Sequence, residues 1–583
     1  MLDQLVSYAQ QNGLSSQRGY VSKDVRWAID IAANGAFLGL TELGNPENKG
    51  NRGIHFERAP DMAQNELIAG GVTRSHFLID SLSVVIRWAT DIDQKEKEKI
   101  ETKHRYFLQL LISAADVIPD LLTVVTFLEN EANASMLWQA AALQRAKPTD
   151  KATVRIGGKF PVEDPRWYPW WDTFRASLQP PHDDSAVCLV TGQHGIIMQT
   201  HPKVRGLIGV GGASTGSMLV SFDKDAFTSY GLVQGANAPM HEAVAMSYAR
   251  ALEHLIEQAP TLANVKVLHW FSEKVSNDAD PFAFLASPEE RADREATDEG
   301  RRLLDSIRQG DMSSSSNSSF NRFYAVLVSA VSARIMIRGW YEGTYDTLKT
   351  HIAQWFDDLA IVAWDGGVAH APAFSRILSD LTAVQRDTPA PLVKTLWESA
   401  VFGRPLPRQA AQMALGRIRQ AVLGIGHRPT YGYAVLKAFL IRNYGQEGTI
   451  MSYALNPDRP EVAYQAGRLL AVMGRLQNAA NPGVNVDVVT RFYAAASTNP
   501  AVTFGRLNSL ARYHLNKLEG GGLRYWFEQE MAQVMSHIKD FPATLALHEQ
   551  SLFALGYYHQ LADYRRLSIE RADHHDDEHQ KQI

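Results

Sequence analysis

The chain has 583 residues, 45% of them apolar and 21% charged, with a formal net charge of −5. That balance is globular, long enough for several domains, and argues against a plain, uniformly basic nucleic-acid binder. A single cysteine, Cys188, excludes an internal disulfide framework and a multi-cysteine zinc site, and fits a reducing cytoplasm.

The opening "MLDQLVSYAQ" lacks a basic segment leading into an apolar run, so it does not read as a signal peptide. "GAFLGLTEL" (35–43) reads as a strand, and the Gly/Asn/Pro-rich "GNPENKGNRG" after it as a loop. The stretch from 47 to 74, "ENKGNRGIHFERAPDMAQNELIAGGVTR", collects Lys49, Arg52, Arg58 and Arg74, cations suited to phosphates or guanine edges. It also holds Gln64 and Asn65, amides suited to base edges, and Gly70 and Gly71, which allow close backbone approach. "SHFLIDSLSVVIRWA" (75–89) and "RYFLQLLISAADVI" (105–118) have helical patterns, and the charged "DIDQKEKEKIETKH" between them reads as an exposed connector or a first helical turn. The most apolar run, "LLISAADVIPDLLTVVTFL", is interrupted by Asp116, Pro119 and Asp120 and reads as buried helix, not a membrane span. "DPRWYPWWDTF" (164–174) would stack bases or pack into a core.

A glycine block, "HPKVRGLIGVGGASTG", poses the question of phosphate binding. Gly209 and Gly211 begin a dinucleotide fingerprint, but its third position is Ser214. Gly211 and Gly216 have P-loop spacing, but Ser217 and Met218 follow where Lys and Ser/Thr are required. Downstream, alternating Met218, Val220 and Phe222 predict a strand, whereas both templates need a helix to supply amides and dipole. The glycines therefore read as a structural loop. "MHEAVAMSYARALEHLIEQ" (240–258) predicts a helix with Ala243, Met246, Leu252 and Leu255 inward. Residues 276–321, charged and then Ser-rich, read as a mobile insertion. "FYAVLVSAVSARIMIRGWYEG" returns to strand pattern.

From 346 the helical period dominates. "DRPEVAYQAGRLLAVMGRLQNAA" predicts a helix capped by Asp458 with Glu461 three residues on. Its apolar face is Val462, Ala466, Leu469, Leu470, Met473 and Leu476, leaving Arg468 and Arg475 on another face. "NPAVTFGRLNSLARYHLNKLEGGG" predicts a second helix, starting at Asn499-Pro500, with Arg506, Arg512 and Lys517 outward. Residues 401–572 hold 19 Lys and Arg against 11 Asp and Glu, a net of +8 that leaves −13 elsewhere. The expected class is α+β: a mixed domain over 1–345, a helical connector over 346–450, and a helical bundle over 451–583.

No metalloprotease or nucleophile-elbow motif occurs. "PHDDS", with His182 and Asp183, would suit a metal-dependent phosphodiesterase only with further ligands, and the glycine loop 206–216 is the other handle for an enzymatic reading. The histidines of "ADHHDDEHQKQI" sit in a terminal acidic run.

Five blocks occur in one order: "CLVTGQHGIIMQTHPKVRGLIGV…LVSFDKDAFTSYG", "NAPMHEAVAMSYARAL", "FYAVLVSAVSARIMIRGWYEG", "LNPDRPEVAYQAGRLLAVMGRLQ" and "FYAAASTNPAVTFGRLNSLARYHLNKL". Together they resemble the large subunit of the type I-C CRISPR surveillance complex, Cascade, over about residues 180–560; "GGVTRSHFLID" is similar to the family pattern earlier in the chain. The resemblance implies a non-enzymatic, cofactor-free and metal-free protein. Its implied partners are a crRNA, a backbone subunit, the crRNA-processing subunit at the 5′ handle, and target double-stranded DNA, with no membrane. It implies PAM reading by residues such as Lys49, Arg52, Arg58, Gln64, Asn65 and Arg74, opening of the duplex, and guidance of the displaced strand by Arg468, Arg475, Arg506, Arg512 and Lys517. It also implies docking of a separate helicase-nuclease, and a small helical subunit translated from within the same gene. The candidate start is Met451, just before the capped helix at Asp458, with Met473, which would cut that helix in half, as the competitor.

Overall fold

The computed structural model describes residues 1–14, 19–44, 53–62, 66–67, 72–89, 93–178, 185–286, 320–367, 369–445, 451–483, 487–518 and 521–580. The class is α+β, with sheets in the N-terminal part and helices in the C-terminal part. Two compact units divide the chain: residues 1–204 with 218–254, and residues 205–217 with 255–583. The expected boundaries at 345/346 and 450/451 both fall inside the second unit, whose core runs from Leu262 to Tyr564.

The first unit contains α1 (Leu2–Gln11), β1 (Tyr20–Val25), β2 (Trp27–Ile31), β3 (Phe37–Glu42), β4 (Ile54–Pro60), β5 (Asp80–Ser81), α2 (Leu82–Val85), α3 (Gln94–Ala114), α4 (Leu121–Glu129), α5 (Glu131–Leu143), β6 (Lys151–Ile156), α6 (Trp167–Ser177), β7 (Ser185–Val187) and β8 (His194–Ile196). β2 is central: it pairs antiparallel with β3 and parallel with β6, and all five of its residues are buried. A strand covered on both faces needs no alternation, and its one carboxylate, Asp30, is met by Arg155 of β6 at 2.5 and 2.8 Å. β1 pairs separately with β4.

One expectation for this unit is corrected. Residues 75–89 are not one helix. Phe77, Leu78 and Ile79 enter the core through a bend in which Leu78 has φ +58°, and the Asp80 carboxylate accepts the N–H groups of His76 and Ser81, leaving a single helical turn at α2. Of the two readings of the charged stretch, the helical one holds: it forms the first half of α3, whose cap is Asp93 accepting from Glu96 N–H at 2.7 Å.

α7 (Glu242–Gln258) follows as predicted, but Val244, Tyr248, Leu252 and Leu255 face inward while Ala243 is exposed and Met246 half-buried.

In the second unit β9 (Thr261–Leu262), β10 (Val265–Phe271), β11 (Arg322–Val331) and β12 (Arg334–Thr344) run antiparallel in that order. The insertion's residues 287–319 lie outside the described residues; 281–286 form the short α8 (Pro281–Ala286). Ten helices follow among the described residues: α9 (Tyr345–Leu359), α10 (Phe374–Thr382), α11 (Ala390–Phe402), α12 (Arg408–Val422), α13 (Thr430–Tyr444), α14 (Val462–Ala480), α15 (Val488–Ala496), α16 (Pro500–Lys517), α17 (Gly521–Ser536) and α18 (Leu547–Gln580).

α14 is the axis of this unit. It crosses α18 at Gly467 and Gly556, where a Cβ on either glycine would overlap the partner helix's backbone at Phe553 or Tyr464. Its residues 463–474 are all buried, so it has no outer face in that stretch. The helix starts at Val462, not beside Asp458. Pro460 keeps the preceding residue extended, and Glu461 pairs with Arg459 at 2.8 Å instead of completing a capping box.

Candidate nucleic-acid interface

The glycine block is held by protein. A Cβ at Gly211, which has φ +93°, would overlap the Ala330 carbonyl, and Ala213 N–H and Ser217 Oγ both donate to the Ser332 carbonyl in the β11–β12 turn, at 3.0 and 3.1 Å. The strand predicted downstream is only Ser217–Met218, and the next α-helix is α7. The glycines therefore serve close backbone approach, and the dinucleotide and P-loop templates lack their helix here. His182 and Asp183 lie outside the described residues. Among the described residues no group of three or more His, Cys, Asp or Glu could hold a metal ion, and no helix is long and apolar enough to cross a membrane.

Of the six residues expected to read DNA in the first unit, Lys49, Arg52, Gln64 and Asn65 lie outside the described residues. Arg58 and Arg74 are both engaged within the protein. The Arg58 guanidinium rests on the rings of Tyr20 and Tyr168, 4.4 and 3.9 Å from their centroids. Arg74 donates to the Glu66 carbonyl at 2.9 Å through its guanidinium and to the Leu67 carbonyl at 3.0 Å through its backbone.

What the sequence reading missed is the network beneath these residues. Arg175 of α6, buried, donates to both Glu66 oxygens at 2.7 and 2.8 Å and to Glu242 of α7 at 3.1 and 3.3 Å. Lys23 of β1 meets Asp61 at 3.0 Å and the Pro60 carbonyl at 2.7 Å, and His76 lies 3.5 Å from Asp61. Burial alone would raise the Asp61 carboxyl; Lys23 and His76 outweigh it and hold it below the usual carboxylate range. Burial, with Lys23, lowers His76 to about 4. Burial likewise works against the Arg175 charge, and Glu242 and Glu66 overcome it and raise its pKa. Asp61 and Glu66 are thus held by ion pairs, to β1 and α6 respectively, while Arg74 bonds back to Glu66 and Leu67 and His76 lies beside Asp61. The partners are up to 109 residues apart, so no local pattern announces them.

The aromatic cluster also belongs to the core. Trp167 and Trp171 are fully buried, their indole N–H groups donate to the Val162 and Gly19 carbonyls, and Phe77 stacks on Trp171 at 5.5 Å.

In the second unit the five expected strand contacts separate. Arg468 is corrected outright. It is 1% exposed, and its guanidinium donates to Gln560 and Gln465 at 2.8 Å and to the Pro457 carbonyl at 2.9 Å. It sits where α14 is buried all round, so it cannot line a groove. Arg475 is half-buried, 4.2 Å from the Tyr564 ring and 5.2 Å from that of Trp526. Arg506, Arg512 and Lys517 are exposed on α16. At 100° per residue Arg506 and Lys517 nearly align, while Arg512 points about 120° away. Lys517 also donates to Asn481 Oδ1 at the end of α14.

A family model described as CRISPR-associated protein (Cas_Csd1) matches residues 5–565. The chain belongs to the CRISPR-associated Cas_Csd1 family. No curated protein matches it. For a Csd1-family chain, buried cations that brace a fold and exposed cations on a helical unit have separate meanings, and only the second kind is available to a polyanion.

Proposed function

We propose that this Csd1-family protein is the large subunit of a type I-C Cascade, a binding and scaffolding protein with no catalytic step of its own. The observation that carries this reading is the family match over residues 5–565. In this reading the subunit sits at the crRNA 5′-handle end beside the backbone and crRNA-processing subunits and reads the PAM on duplex DNA. It then promotes R-loop formation, guides the non-target strand and docks the helicase-nuclease. The division is physically sound, because base pairing reads sequence while protein reads the PAM and backbone.

Gln64 and Asn65 are the base-edge candidates by residue type, and they lie in sequence between Asp61 and Glu66, which ion pairs hold in place. Lys49 and Arg52 remain the phosphate candidates, and Arg58 and Arg74 brace the frame. The test is PAM-duplex binding by reconstituted complexes carrying alanine at Arg52, Gln64 and Asn65. Loss of PAM discrimination with normal assembly supports the assignment, and parent-like binding by the triple variant ends it.

The same reading includes a small subunit begun at Met451. Met451 is 4% exposed and belongs to the second unit's core, in which α12 and α13 pack against α18. A product starting there would uncover that face of α18, which suits a protein that works docked on others. Synonymous recoding of codons 446–448 should abolish the short product; its persistence would refute the start.

A further inference from the structure

A cavity of about 510 Å³ opens in the second unit where α13 and α15 begin beside α14 and α18. Three of its lining residues are arginines on separate elements: Arg428 before α13, Arg475 on α14 and Arg565 on α18. The Arg428 and Arg565 guanidiniums lie 4.1 and 4.4 Å from the Trp364 ring, and Arg475 lies 4.2 Å from the Tyr564 ring. None of the three has a carboxylate partner among the described residues. The acid in the wall, Asp487, is committed to capping α15, accepting from Thr490 N–H at 2.6 Å. Trp364 Nε1 is buried with no partner among the described residues.

Three like charges turned into one cavity repel each other. The guanidiniums lie against aromatic rings, and their N–H donors have no partner among the described residues. The start of α13 adds positive potential to the same wall. An anion relieves all of this at once. We infer that the groove binds single-stranded nucleic acid, its phosphates on Arg428, Arg475 and Arg565. Free in-plane donors suit the bidentate geometry of phosphate, and a guanidinium lying on an indole offers its outer face to a base. An acidic peptide would use the donors and leave the stacking faces idle. The volume matches a small-ligand pocket and takes about one nucleotide at a time. This deepens the strand-guiding reading and rests on it.

The test uses the full-length chain and a fluorescent fifteen-nucleotide oligo-dT titrated over a range of salt. The triple variant Arg428→Gln, Arg475→Gln, Arg565→Gln should weaken binding at least tenfold at low salt. It should also lower the log–log salt slope by about 2, at about 0.7 per phosphate contact on a single strand. Ser568→Glu, which adds a negative charge at an exposed wall position without touching the arginine stacks, should weaken binding at least threefold. Replacing the three arginines by lysine should keep most of the slope. If the parent binds and both the triple variant and Ser568→Glu bind equally well, the groove proposal falls while strand guidance stands on other residues. If the parent holds no oligonucleotide, both fall. If poly-glutamate of equal charge displaces the oligonucleotide as well as oligo-dT does, the groove is an acidic-protein site and the inference is overturned.

Discussion

Arginines of this molecule fall into two sets that are used in opposite ways. In the first, Arg155, Arg175, Arg58 and Arg74 each end on a carboxylate, a carbonyl or an aromatic face inside the first unit. In the second, Arg428, Arg506, Arg512 and Arg565 are exposed and have no carboxylate partner among the described residues. Because the cost of burying a charge is recovered only by close pairing, the first set stabilises a frame. The second set costs little in water and remains free to exchange counterions for phosphate. The contrast separates residues whose loss unfolds from residues whose loss unbinds.

The largest effect is expected where a buried pair is broken. Arg175→Ala would remove the buried guanidinium that meets Glu66 and Glu242 and should cost about 3–5 kcal/mol, read from the urea midpoint of the full chain. A loss under about 1 kcal/mol would mean that the network is not the brace described. Next comes a buried arginine of the second unit. Arg468→Ala leaves the acceptors on Gln560 and Gln465 unmet, with Gln465 Nε2 still donating to the Pro457 carbonyl, and should cost about 3 kcal/mol while oligonucleotide binding by the folded fraction stays at the parental level. A binding loss without a stability loss would return Arg468 to the surface set.

A smaller, pH-dependent effect should come from His559. It is fully buried against Tyr464, and burial first, then Lys437 and Arg459, lower its pKa to about 3. The unfolded chain takes up the proton near pH 6.5 and the folded chain does not. Stability is therefore complete above about 6.5 and falls with acidity, by about 2 kcal/mol between pH 6.5 and 4.5. Denaturant midpoints across that window should drop in the parent and be flatter in His559→Gln; equal slopes would discard His559 as the cause. The smallest stability change is expected at Arg506→Ala and Arg512→Ala, within about 0.5 kcal/mol, with the salt slope of single-strand binding reduced by about 0.7 each. Unchanged slopes would leave these two as solvated surface.

Much of the fold was legible where local chemistry decides it. The Asn499-Pro500 start of α16, the strand pattern of the β11–β12 hairpin and the failed phosphate templates at 206–216 all rest on neighbours in sequence. The misses have one physical cause. A period of 3.6 shows which face of α14 is most apolar, but not that Arg468 on another face would also be enclosed, by α18 some ninety residues later. Likewise the Glu66–Arg175 pair, and the Asp80 side chain that breaks the helical pattern of 75–89, depend on tertiary placement. In the candidate interface the residue types were readable and their availability was not, because availability depends on which carboxylate or ring the fold brings alongside.

The glycine crossing of α14 and α18 has a consequence for how the chain is made. The axial helix can bury its surface only when residues around 553–564 have arrived, so the second unit cannot close while synthesis is still passing through its middle. At elongation rates of about 5–20 residues per second, α14 waits about 5–20 seconds with a largely apolar surface uncovered. Nascent chains stalled before residue 553 should therefore be held by chaperones and cleaved readily by protease, and chains released at full length should become resistant in a single late step.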